Sequence, residues 1–180
     1  MSLYPLLVFL HVLGAVGMFA AWGIEAIALS QLRRAVTVEQ ARTAMGLSRG
    51  AVPVGPAGML VALVTGLWMM GVRWGLRPWM VAALAALVLI VVVGIVVARR
   101  AVPPLTAALG RESDPLAGSV RVTSGPLVAS LQFRVAMGIA ILALMTVKPG
   151  GLGSLAIMAA AVVTGLGLRF AARGEPRVPA

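Results

Sequence analysis

Long apolar runs separated by short polar breaks dominate the 180-residue chain, and the length of each run decides what it can be. A helix needs about 20 apolar residues to cross the hydrocarbon of a bilayer. Five runs come close to or exceed that length, over residues 5–32, 56–71, 79–98, 126–147 and 152–168. The pattern predicts an all-α fold, an integral membrane bundle of five transmembrane helices in one domain over residues 1–170, with a flexible cytoplasmic tail over 171–180. The first run is too long for a cleaved leader and lacks a basic segment before it, so it is expected as a retained span.

The breaks carry their own signals. Thr37-Val38-Glu39-Gln40 is a capping-box pattern that predicts a short helix through about Leu47, with Val38, Ala41 and Met45 on one side, lying on the membrane surface. Pro103 and Pro104 predict a stop after Arg99 and Arg100, because proline cannot continue the hydrogen-bond ladder. Residues 101–125, with Glu112 and Asp114, are expected to form a loop with at most one short helix. Ser124-Gly125-Pro126 predicts the start of the fourth span.

Charge then orients the bundle. The connections and ends carry 11 arginines on one side (Arg33, Arg34, Arg42, Arg49, Arg99, Arg100, Arg111, Arg121, Arg169, Arg173 and Arg177) against Arg73, Arg77 and Lys148 on the other. The positive-inside rule places the N-terminus outside and the C-terminus in the cytoplasm. Tyr4, Trp68, Trp74 and Trp79 then gather at the outer interface as an aromatic belt. The formal charge of +10 does not imply nucleic acid, since these arginines sit where anionic headgroups attract them. With 61% hydrophobic and 11% charged residues, the partner is expected to be the lipid bilayer; 14 arginines against one lysine, with abundant Ala, Gly and Val, look like the codon usage of a GC-rich bacterium, so a bacterial inner membrane is expected.

Chemistry-bearing residues are few. The absence of cysteine removes disulfides, thiolate metal sites and thiol catalysis. No nucleophile with a base, no metalloprotease motif and no paired carboxylates are present. Two ionisable residues stand inside the first run, His11 and Glu25, and side chains of this kind within a span are functional candidates by default. With Gly14, Met18 and Trp22 they form one stripe, but His11 and Glu25 are ~21 Å apart along the axis and cannot act as a contacting pair.

Glu25 instead matches Arg134 of the fourth span in depth, both ~12 Å from the arginine-rich face. They are expected to meet as a buried polar pair, either lining a polar cavity or proton path in a small transporter or channel component, or clamping two helices. His11 lies near the level of Met69, Met70, Met80 and Met145. Imidazole and thioether suit haem iron or copper, which makes His11 and Met145 the candidate ligands of a haem b; alternatively His11 hydrogen-bonds across helices. As the only histidine, it requires a methionine partner or a second copy in a homodimer for bis-axial ligation. A structural subunit of a membrane complex is a third reading. Gly14, Gly17, Gly94 and Gly138 are expected to serve close helix packing, and the repeated tetrapeptide Val-Thr-Gly-Leu at 64–67 and 163–166 is expected to be coincidental.

The opening LLVFLHVLGAVG, residues 6–17, resembles the first helix of a loose group of bacterial membrane proteins that includes copper-resistance protein D domains, the membrane-bound protoporphyrinogen oxidase of the J type and several uncharacterised families. The segment LMTVKPG, residues 144–150, is similar to uncharacterised members of that group. The resemblance covers about a sixth of the chain. It implies a bundle of four or five helices with His11 as a haem or metal ligand.

Overall fold

The computed structural model describes residues 3–51, 53–110 and 116–171. Among these residues the chain is helical almost throughout and contains no strand: α1 (Tyr4–Arg34), α2 (Val38–Ala51), α3 (Val54–Met69), a π turn (Met70–Trp74), α4 (Pro78–Gly110), α5 (Leu116–Val147) and α6 (Gly151–Ala171). Four helical runs are long and apolar enough to cross a membrane, within Tyr4–Arg34, Val38–Trp74, Pro78–Ala107 and Ser124–Val147; a fifth apolar stretch, Gly151–Gly167, is shorter. The protein is an all-α helical bundle of multi-pass membrane type. The expected tail beyond Ala171, and the acids Glu112 and Asp114, lie outside the described residues.

The expected ends of the helices are partly corrected. The capping box forms with its return bond one residue earlier, Gln40 N–H donating to Thr37 Oγ1 at 3.3 Å and the Gln40 side chain accepting from Val36 N–H at 2.9 Å. The helix it starts runs on to Ala51 and packs against α1, burying Ala41 and Ala44. The second span begins at Val54 and leaves α geometry at Met70, where Gly75 N–H reaches back five residues to the Met70 carbonyl at 2.8 Å. Gly75 ends it at φ +62°, a conformation that favours glycine.

The expected loop over residues 101–125 is the largest correction. α4 continues through Pro103 and Pro104 to Gly110, and α5 begins at Leu116, ten residues before Pro126. The two prolines remove the N–H groups that would bond the Arg99 and Arg100 carbonyls, an expense of ~3 kcal/mol or more for an interior proline. Three features offset it. Arg99 and Arg100 are exposed, so water can reach that turn. Ala101, Leu105 and Leu109 are buried at a helical spacing of four. Arg42 on α2 donates from Nη2 to the Leu109 carbonyl at 3.1 Å, placing a cation at the C-terminal end of the α4 dipole.

The chain divides into two compact units, one of Met1–Arg77 with Ala101–Ser124, the other of Pro78–Arg100 with Gly125–Ala180. In the first, α1 and α3 pack antiparallel, with Ala21 beside Gly55, Gly14 beside Gly58 and His11 beside Gly66. In the second, α5 turns into α6 through Lys148, Pro149 and Gly150. Lys148 adopts φ +52°, and the buried Ser154 hydroxyl donates to the Gly150 carbonyl at 3.0 Å.

Candidate functional site

The site around His11 is built from a close glycine contact between α1 and α3. A methyl group placed on Gly14 would lie 2.6 Å from the Gly58 carbonyl oxygen, and one on Gly58 would lie 2.6 Å from the Gly14 oxygen. Backbone therefore rests on backbone, which only glycine allows, and small residues spaced by four make such approaches in membranes. Gly58, Ala62 and Gly66 supply that spacing on α3. Fixing Gly14 on Gly58 sets the register one turn further along, where the half-buried imidazole of His11 meets Ala62, Thr65 and Gly66.

The hydrogen bonds assign the ring. His11 Nδ1 lies 2.8 Å from the Ala62 carbonyl and 3.3 Å from Thr65 Oγ1. The Thr65 hydroxyl spends its proton on the Val61 carbonyl at 2.6 Å, so both partners of Nδ1 accept. Nδ1 must then carry the proton, and in the neutral ring Nε2 carries the lone pair. A methyl on Gly66 would come within 3.0 Å of His11 Cε1 and 3.3 Å of Nδ1, so Gly66 is the floor of the seat. An imidazole whose Nδ1–H is committed to a carbonyl is held in the tautomer and orientation of a metal-ligating histidine.

The other candidates are placed by the unit that holds each. The α1 stripe is as expected, with Gly14, Met18 and Trp22 buried and His11 and Glu25 half-buried. Glu25 belongs to the first unit and Arg134, on α5, to the second. Arg134 is half-buried with its Nε fully enclosed, and its Cδ lies 3.5 Å from where a Cβ of Gly94 would be. Gly94, expected as a packing glycine, makes room for a guanidinium stem on α4. Met145 is a half-buried residue of the second unit, as Met69 and Met70 are of the first, while Met80 is buried. No group of three or more His, Asp or Glu side chains able to hold a metal ion occurs among the described residues.

Sequence reasoning missed Ala62, Thr65 and Gly66 as partners of His11. The signal lies in the Gly58, Ala62, Gly66 spacing and in the Thr65-Gly66 dipeptide. No family model, curated protein or solved structure matches the chain.

Proposed function

We propose that this membrane protein presents His11 as a neutral imidazole ligand, through Nε2, to a haem iron or a soft metal ion such as copper. The observation that carries the reading is the bond from Nδ1 to the Ala62 carbonyl, which leaves Nε2 as the coordinating atom. His11 would hold the metal through Nε2, with Ala62, Thr65 and Gly66 orienting the ring. A bound haem would supply one-electron redox chemistry, and the chain's own part is to fix the tautomer and orientation of the imidazole.

The test is the visible spectrum of protein purified from cells well supplied with haem. A strong near-ultraviolet band is expected that His11→Ala abolishes, since no other imidazole exists in the chain. Colourless protein that takes up neither added haem nor copper overturns the proposal.

A second reading has its own support: in the other unit, Gly165 seats the Phe133 ring as Gly66 seats His11, which is what a packing role would look like. His11→Phe separates the two, because it keeps a ring and removes the ligand.

The arginines around α2, at the end of α1 and at Arg99 and Arg100 within α4 support a bacterial inner-membrane orientation with that side in the cytoplasm. In a chain without cysteine, Leu76→Cys should label from outside intact cells and Leu47→Cys should not; the reverse pattern inverts the orientation.

A further inference from the structure

The positive-inside bias makes the other end of the first unit unusual. Arg73 and Arg77 both occupy the short connection between α3 and α4, on the side that carries 3 basic residues against 11. Each is held by a defined neighbour. The π turn brings the Arg73 guanidinium over the Tyr4 ring, 4.7 Å from its centroid, at the start of α1. Trp74 donates its indole N–H to the Tyr4 hydroxyl at 3.4 Å, and Arg77 donates Nε to the Trp74 carbonyl at 3.3 Å. The four residues form one cluster in which both guanidinia are exposed.

Tyrosine and tryptophan settle at the headgroup level of a bilayer, with an apolar ring below and a polar edge above. Anchoring Tyr4 and Trp74 there sets the two guanidinia at the depth of lipid phosphates. An arginine over an aromatic ring uses its flat face and keeps its N–H edge for a second partner, and one bonded through Nε keeps its terminal nitrogens. Paired guanidinium edges match the oxygens of a phosphate.

We propose that Arg73 and Arg77, set by Tyr4 and Trp74, form a binding site for the phosphate of an anionic phospholipid headgroup in the leaflet opposite the arginine-rich side. It is independent of the ligand proposed for His11. The cluster ties α1 to the end of α3, so an occupied site also fastens the open end of that hairpin.

The experiment counts lipids retained by the full-length protein in native mass spectrometry, with phosphatidylglycerol titrated against phosphatidylcholine. Wild type should retain phosphatidylglycerol preferentially. Arg77→Gln, an exposed change, should weaken retention of one such lipid by roughly fivefold, and Arg73→Gln with Arg77→Gln by roughly 25-fold. Tyr4→Phe should bind nearly as wild type, because the ring under Arg73 remains, whereas Tyr4→Ala should fall toward the Arg77→Gln value. Equal retention by wild type and the double variant overturns the site. Competition by millimolar inorganic phosphate that empties it as readily as lipid does overturns the lipid assignment and makes it a site for soluble phosphate.

Discussion

Two hairpins of this protein use nearly the same six residues to different ends. Ala62-Leu63-Val64-Thr65-Gly66-Leu67 on α3 and Ala161-Val162-Val163-Thr164-Gly165-Leu166 on α6 each face an aromatic ring from the helix packed against them. A Cβ on Gly66 would lie 3.0 Å from His11 Cε1, and one on Gly165 would lie 3.0 Å from Phe133 Cδ2 and also 3.1 Å from the Phe133 Cα, so Gly165 admits backbone as well as ring. The glycine thus makes a seat for a flat ring in both units. What differs is the threonine: Thr65 is 5% exposed and accepts from the imidazole, whereas Thr164 is exposed. Ring packing is the common property of the motif, and the buried Thr65 hydroxyl with the Ala62 carbonyl turns one seat into a place for a polar ring.

The largest expected effect tests the contact that sets the register of the histidine seat. Gly14→Leu drives Cβ to 2.6 Å from the Gly58 oxygen and 2.8 Å from the Ala62 nitrogen, and neither backbone atom can yield locally. Loss beyond the ~1 to 3 kcal/mol of ordinary overpacking is expected, read as failure to elute as folded protein on size exclusion. A variant that elutes and melts like wild type would remove the close approach altogether.

Gly66→Ala comes next, since the methyl meets a side-chain ring and not backbone. It should cost ~1 to 3 kcal/mol in unfolding from detergent and turn His11 out of its bond to Ala62. Any haem band should weaken with it, and an unchanged spectrum with an unchanged melt would show the ring is not seated there.

Exchanging the rings breaks the comparison directly. Phe133→His puts an imidazole where the adjacent threonine is exposed, so a buried N–H stands to be left without an acceptor, at ~1 to 3 kcal/mol. His11→Phe forfeits a hydrogen bond and keeps the packing, at ~0.6 to 1.7 kcal/mol, the range measured for interhelical bonds in lipid. Equal costs in the two exchanges would mean that Thr65 and Ala62 contribute nothing specific to His11. The smallest effect belongs to Thr65→Val, about 0.5 to 1 kcal/mol by chemical unfolding, because Nδ1 keeps its 2.8 Å bond to Ala62. A loss as large as that of His11→Phe would shift the main polar contact to the hydroxyl.

The sequence by itself determined the helical class, the existence of the apolar runs and the stripe from Gly14 to Glu25, because hydropathy and helical period are local quantities that each residue carries with it. It also contained the cap of α2, a local exchange in which Thr37 Oγ1 accepts from Gln40 N–H and the Gln40 side chain accepts from Val36 N–H. It did not determine which face of a span meets protein. Ile90 is 1% exposed and Val88 is 60% exposed in one continuous apolar run, since lipid and protein interior are equally apolar and only packing separates them. Nor could it foresee that α4 would pass Pro103 and Pro104, because the terms that offset the lost bonds, the burial of Leu105 and Leu109 and the Arg42 cap, come from residues far apart in the chain. The histidine seat is of the same kind. His11 could be named as a candidate from its position in a span, but Ala62, Thr65 and Gly66, more than 50 residues away, became its partners only when Gly14 and Gly58 let two backbones touch.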